Sequence, residues 1–532
     1  SGEWVDVYMT RTFTGTTITQ DSTTYDITPR FEMYTSDIKD KTGTFNFDIK
    51  DVMIINNTTG SLIQSTDYAY MYGTNDGTVK AKYTTNAITL KALTRNGYTF
   101  LGWYKEAACT NKVGSAGSLY TPTGNITLYA KWRINNYEET SNNSHVEYYE
   151  TLAEAISSAN SGNRIVALNN RTETESATIP SGKTLTFKLA GRTVTLNGAT
   201  LTNNGTLTIE GNGTLTGSGA NTVTNNGTFR KIDDSTIKNT STSNYCAIKN
   251  TGTATIERGT ISGEYRAIET SGTQTLTLTG GETSITAKNC AVFNKGTANT
   301  TSVPAVKIGN VKLIESTDSV SVYNNASGLV YITGGIIKQQ GSNSAIVNNS
   351  TGTIQLVSST IQNTGTAGYA INNASTGTVK VEGGNTVAGT INNGSTGKIE
   401  VSGGTITSAT TALYNTGAGT IKVTGGTITG QNTQAIRGGT GTVSISGSPK
   451  ITGKVYGVSV TTGTLTITGG TIEATEGIGA YAYNADKVAT LTIGTNEATP
   501  SVNTSVPSIT GKTYGVQVGG TFNFYDGILK GK

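Results

Sequence analysis

A short strand of alternating polar and apolar residues returns about every 22 residues from Arg164 to the end of the chain, and self-similarity at such a period marks a solenoid. Clear copies are Thr184-Leu-Thr-Phe187, Thr206-Leu-Thr-Ile209, Thr353-Ile-Gln-Leu356, Thr420-Ile-Lys-Val423 and Thr464-Leu-Thr-Ile467. The second and fourth positions are apolar and the first and third mostly polar, so one face points inward and the other meets water. A second strand follows, as in Gly403-Gly-Thr-Ile406 and Gly425-Gly-Thr-Ile428, and then a third, as in Ala345-Ile-Val-Asn348 and Ala412-Leu-Tyr-Asn415. Three strands per turn predict an all-β chain built on a parallel β-helix. About 16 rungs at a rise of roughly 4.8 Å give a column on the order of 75 Å long.

The corner after the third strand repeats Asn with Gly, at Asn203, Asn225, Asn250, Asn324, Asn348, Asn372, Asn392 and Asn415. Both residues tolerate the left-handed backbone of a sharp corner, and stacked Asn amides can bond from coil to coil. The pattern resembles the right-handed parallel β-helix repeats of pectin-degrading enzymes and of bacterial adhesins, a likeness of architecture that implies a right-handed coil and leaves function open.

Before the solenoid the text changes. Residues 1–67 read as a small β-rich module, including a strand over Ile49–Ile55. Residues 68–134 carry Gly73-Thr-Asn-Asp-Gly77, Gly97-Tyr-Thr-Phe-Leu-Gly-Trp-Tyr104 and a closing Leu128-Tyr-Ala-Lys-Trp132. This segment resembles the Listeria–Bacteroides repeat, the B-repeat of internalin-type surface proteins. The resemblance implies a β-grasp-like module in an exported bacterial surface protein, and no catalysis. In physical terms Tyr98, Phe100, Trp103 and Trp132 supply the apolar area that so small a module needs for a core.

Residues 135–150 read as a polar linker leading into the solenoid of 151–532. Thr151-Leu-Ala-Glu154 has the form of a capping box, and Leu152, Ala155, Ile156 and Ala159 make one apolar helical stripe. That short helix is expected to cover the open end of the first coil. Ser1-Gly2 and the uncovered strand around 521–529 read as the ends of a piece of a longer protein, and the chain is expected to be a monomer.

Composition narrows the functions. Charged residues are 14% of the chain and the formal balance is +4 without any Lys/Arg run, so neither nucleic acid nor an anionic membrane is an expected partner. No apolar run is long enough to span a bilayer. Cys109, Cys246 and Cys290 have no metal-ligand spacing, and no metal or cofactor is expected. Cys246 and Cys290 open equivalent strands with the Arg266 copy between them, roughly 10 Å apart and beyond the roughly 7 Å limit for a bridge, so free thiols are predicted.

Many β-helices cleave acidic polysaccharides with carboxylates stacked on adjacent rungs. The outward third position of the anchor strand reads Thr186, Thr208, Arg230, Thr255, Thr277, Lys307, Tyr331, Gln355, Lys380, Glu400, Lys422, Ser444, Thr466 and Thr492, with no acid pair and no long hydroxyl array of the ice-binding kind. The one histidine, His145, lies in the linker. The densest charged region gathers Asp233, Asp234, Glu257, Arg258, Glu264, Arg266 and Glu269, flanked by Tyr245 and Tyr265 at matching places in successive coils. Lys249 and Glu269 also align. This patch reads either as cross-strand ion pairs or as a carbohydrate-binding shelf with two stacked tyrosines. The expectation is a non-catalytic adhesin-like protein, secreted or at the bacterial surface, that presents an elongated face to host or environmental glycans or surface proteins. The alternative is a polysaccharide lyase or glycoside hydrolase.

Overall fold

The computed structural model describes residues 87–532, except 123–125, 366, 487 and 497–505, together with short strands between positions 17 and 81. Two compact units are present, Ser1–Leu90 with Ser118–Leu128, and Lys91–Gly117 with Tyr129–Lys532. In the first, Thr17–Gln20 pairs antiparallel with Thr23–Asp26, and Met53–Asn56 with Ser61–Ser65. Most of the module expected over 1–67, residues 49–52 of its proposed strand and the turn at 74–77 lie outside the described residues.

In the second unit, strand Tyr98–Tyr104 pairs antiparallel with Tyr129–Ile134. Trp103 is fully buried, and its indole N–H donates to the Lys91 carbonyl at 2.8 Å, which satisfies the one polar atom the ring brings inside. Phe100 lies 5.4 Å from both Trp103 and Trp132, so three of the four expected aromatics cluster, with Trp103 buried and the other two half-buried, while the Tyr98 ring lies under the Arg95 guanidinium instead.

The stretch expected to be a linker is instead a β-hairpin. Tyr137–Ser141 pairs with Ser144–Tyr149 and, on its other edge, antiparallel with the first solenoid strand Arg164–Ala167. Asn142 and Asn143 both have positive φ, the backbone that a two-residue hairpin turn requires. Alternation drives the pairing, because Tyr137 and Tyr149 bury their rings against the first coil. Glu139 is buried with them, accepting from the Tyr149 hydroxyl at 2.8 Å, the Asn160 N–H at 2.9 Å and the Asn163 amide at 2.6 Å. Polar composition concealed a structural element.

Helix Leu152–Ser158 caps the column as expected. The Thr151 hydroxyl accepts from the Glu154 N–H at 3.1 Å, while the Glu154 carboxylate receives the Glu150 N–H rather than that of Thr151. Leu152, Ala155, Ile156 and Ala159 are buried in the same core as the coils, and Lys183 donates to the carbonyls of Ile156 and Ser157 at the far end of the helix.

From there the chain winds as a right-handed parallel β-solenoid of about 15 turns. The first sheet contains the anchor strands, from Arg164–Ala167 to Thr521–Phe524, and adjoins the hairpin; a second and a third sheet complete each coil. Register is strict: Leu185, Leu207, Phe229, Ala254 and Leu276 stand above one another, as do Ile399, Ile421, Val443 and Leu465. Every one of these side chains is 0–1% exposed, so the interior is a continuous dry column.

The buried corner runs as an amide ladder. Asn203 donates to Asn225 at 2.7 Å and Asn225 to Asn250 at 2.7 Å; after Thr270 substitutes for one rung, the chain Asn294, Asn324, Asn348, Asn373, Asn393, Asn415 continues at 2.7–3.1 Å. The ladder passes through Asn373 and Asn393, not Asn372 and Asn392, which bond to each other further out at 2.9 Å. The Asn rungs other than Asn294 also donate to a corner carbonyl, as Asn348 does to Gly352 at 2.8 Å, whereas Asn294 accepts from the Gly296 N–H at 2.9 Å.

Candidate functional site

The charged residues singled out in the sequence divide between two corners of the coil. Asp233, Asp234, Glu257 and Arg258 lie where the first sheet turns into the second, in consecutive coils. Glu264, Tyr245 and Tyr265 lie where the second sheet turns into the third, with Arg266 and Glu269 on the third-sheet strand Arg266–Gly272. A second-sheet strand such as Gly259–Gly263, roughly 15 Å of extended chain, separates the groups. They do not form one shelf.

At the first corner the side chains are occupied with one another. Arg258 pairs with Asp234 at 2.6 Å and Arg230 with Glu257 at 2.6 Å, both on the surface and worth little to stability. The hydrogen bond from Arg258 holds the Asp234 carboxyl below its usual range. Asp233 accepts from the backbone N–H groups of Gly211 and Ser235, the role of a corner staple. Beneath them lies a residue that the repeat pattern passed over. Lys231 occupies an inward position, in register with Ile209 and Ile256, and is 0% exposed. Its ammonium donates to the carbonyls of Asp233 and Arg258 at 2.6 Å each, and burial pushes its pKa down to about 8. A basic residue at the fourth place of Thr228-Phe-Arg-Lys231 was the available signal.

At the second corner an open groove of about 540 Å³ crosses successive coils, lined by Glu264, Tyr265, Lys288, Asn289, Asp318 and Ser319. Lys288 bonds Glu264 at 2.6 Å and holds its carboxyl below the usual range. Beside the groove, Arg266 lies between rings, 4.7 Å from Tyr265 and 3.8 Å from Phe293. Phe293 stacks on Tyr323 of the next coil at 5.2 Å, with planes 4° apart. Glu269 bonds Arg266 and also Lys295, at 2.9 Å; burial pushes its pKa up, but these two cations outweigh it and leave the carboxyl below its ordinary range. Lys249 is in register with Glu269 as expected, yet Glu269 turns to Lys295 and Arg266 instead. Among the described residues no ring contact joins Tyr245 to Tyr265, so the stacked pair is Phe293 with Tyr323. Both belong to third-strand copies legible in the sequence, but their partnership depends on which coils abut.

The three outer surfaces differ in kind. Outward positions of the second sheet carry no aromatic residue among those described, and those of the first carry Tyr331 on the coils and the stacked His145 and Tyr148 on the hairpin at its end. The third sheet and its leading edge carry Tyr265, Phe293, Tyr323, Tyr414, Tyr456, Tyr481 and Tyr514. Among the coil strands described, the third sheet therefore holds most of the outward aromatic side chains.

Among the described residues no cluster of His, Cys, Asp and Glu could hold a metal ion. Cys246 and Cys290 are buried and unbridged, in register on either side of Arg266, and burial pushes both thiols up to about 12.

With this geometry the chain can be set beside known proteins. Residues 68–131 match the model of the Listeria-Bacteroides repeat domain. The Listeria-Bacteroides repeat is thus the segment built around Trp103, Phe100 and Trp132. No curated protein and no solved structure matches the chain. A Listeria-Bacteroides repeat joined to a β-solenoid fits an extracellular, adhesin-like repeat protein. Among the described residues no helix is long and apolar enough to cross a membrane.

Proposed function

We propose that this chain is a secreted or surface-displayed bacterial adhesin-like protein, without catalytic activity, whose solenoid presents its third sheet to glycans or to surface proteins of a host or environment. The observation that carries the reading is the concentration of aromatic side chains on the outer side of that one face, whereas ion pairs occur on all three. Structural repetition explains the threonines; it does not explain a face that departs from the repeat. Rings with polar neighbours are what sugar and protein ligands use, because such rings offer large contact area at small entropic cost.

A glycoside hydrolase ordinarily uses a carboxyl of raised pKa as its general acid. Asp234, Glu264 and Glu269 are instead held below the ordinary range by cations. Two measurements test the proposal. Glycan and matrix-protein arrays probed with the full chain should show saturable binding that weakens in Phe293→Ala or Tyr265→Ala. Incubation with acidic polysaccharides should release neither reducing ends nor unsaturated products; turnover abolished by Asp233→Ala or Glu257→Ala would replace this reading with the enzymatic one.

A further inference from the structure

Away from the charged corner, the third sheet carries a second arrangement. Tyr414, Arg437, Ser459 and Tyr481 stand in register on four successive coils, and Gln434 and Tyr456 stand in register one rank nearer the corner. The exposed Arg437 guanidinium lies over the Tyr414 ring, 5.0 Å from its centroid. The small Ser459 lets the rings of Tyr456 and Tyr481 approach to 4.7 Å above it, tilted by 33°. Tyr483 extends the group at 6.0 Å from Tyr481, with its ring on Gly519, where any Cβ would strike it.

Among the described residues of the column, Arg192 and Arg437 are the arginines with no carboxylate at ion-pair distance, and of the two Arg437 is the one set over an aromatic ring. Arg164, Arg171, Arg230, Arg258 and Arg266 each have a carboxylate at ion-pair distance. Arg437 has none among the described residues, and no acid stands in either rank from Tyr414 to Tyr481. The cation–π contact with Tyr414 engages the guanidinium face, and its N–H groups can meet a planar anion in bidentate fashion. The Gln434 side-chain oxygen already accepts from the Ser459 hydroxyl at 2.5 Å, which leaves the amide N–H groups as donors.

We propose that Tyr414, Arg437, Tyr456 and Tyr481 form a binding site for an acidic sugar unit within a polysaccharide. Arg437 takes the carboxylate or sulfate, the tyrosine rings take the apolar C–H face of the pyranose, and Gln434 donates to a hydroxyl. Arg437 and Tyr481 are two coils apart, about 10 Å, room for a short run of sugars rather than one small anion. The site rests on the reading of the third sheet as the ligand-bearing face, and it gives that face a ligand class and a location.

Calorimetric titration of the full chain with oligogalacturonate, dextran sulfate and neutral dextran tests it. At least one acidic polymer should bind and neutral dextran should not, the two acidic arms separating carboxylate from sulfate. Affinity should fall about tenfold or more in Arg437→Gln, the loss of a charge-assisted pair, with partial rescue in Arg437→Lys, and should weaken as salt is raised. Tyr481→Ala should weaken it as well, and because Arg437 is exposed the Gln variant keeps its fold, which a thermal melt checks. Equal binding of neutral dextran, or an unaffected Arg437→Gln variant, overturns the site. If Arg266→Gln or Phe293→Ala abolishes acidic-glycan binding while Arg437→Gln does not, the third-sheet reading survives and this site does not. Absence of binding to all three polymers overturns the site, and the protein arrays then decide the broader reading.

Discussion

The Lys231 ammonium and the Arg258 carbonyl oxygen lie 2.6 Å apart, a bond that ties one coil to the next at an inward position where the neighbouring coils carry Ile209 and Ile256. The same ammonium serves the Asp233 carbonyl, and Gly259 makes room for it, since any Cβ there would meet Nζ and two backbone oxygens. Replacing Lys231 by Met relieves a buried charge but orphans two carbonyls, each worth about 1–3 kcal/mol when unsatisfied. Lys231→Met should therefore be destabilising at neutral pH by denaturant titration, and Gly259→Ala, strained at φ +82° as well, should be worse.

The pH dependence of Lys231 has a definite sign. Its folded pKa of about 8 lies below the ordinary lysine value, so between pH 8 and the lysine range the unfolded chain holds a proton that the folded chain has released. Stability from this group must rise with pH across that window and stay level below it. Melting temperatures of the wild type relative to Lys231→Met should diverge in favour of the wild type from pH 8 to 10; parallel curves would remove the ionisation from the account.

At the other end, Glu173 is buried beneath the cap and accepts from the Tyr137 hydroxyl at 2.9 Å. Burial raises its pKa more than Tyr137 and Arg171 lower it. Here the folded state holds its proton longer, so the contribution is favourable at acid pH and is lost as pH climbs past the ordinary carboxyl range. Glu173→Gln keeps an acceptor for Tyr137 without the charge. It should raise the melting temperature at pH 7 and change it little at pH 4, a comparison that calorimetry makes directly.

Within the amide ladder, Asn348 accepts from Asn324 and donates to Asn373 and to the Gly352 carbonyl. Asn348→Leu should cost about 2–4 kcal/mol, because several buried partners lose a bond together. Asn348→Thr should cost less, since Thr270 already serves as a rung in the native column. Equal losses for Leu and Thr would show that shape, not hydrogen bonding, matters at the corner.

Thiol reactivity offers a simple check on the column. Cys109 is partly exposed, whereas Cys246 and Cys290 are buried with thiols pushed up to about 12. A disulfide-exchange reagent should label one thiol rapidly in the folded chain and all three after denaturation.

Much of the fold was legible because the coil is specified locally. Alternation in Thr206-Leu-Thr-Ile209, Gly as punctuation and Asn at corners each act within a few residues and repeat. The capping helix was visible for the same reason. The hairpin over 137–149 was missed because its buried residues, Tyr137, Glu139 and Tyr149, are polar or amphipathic, and only the partners waiting at Asn160, Asn163 and Glu173 make their burial tolerable. The patch around Asp233 and Glu264 looked continuous along the chain, yet a strand of the second sheet carries its halves to different corners.

By itself the sequence determined that the chain coils, which alternating apolar residues of the coil line the core, and that two thiols stay unpaired, since all of these follow from period and alternation. The tertiary structure alone decided which outward side chains become neighbours. Successive coils differ in corner length, so residues more than twenty apart meet only once hydrogen-bonded register has aligned their strands, and no local rule sets Arg266 on Phe293 or Arg437 on Tyr414.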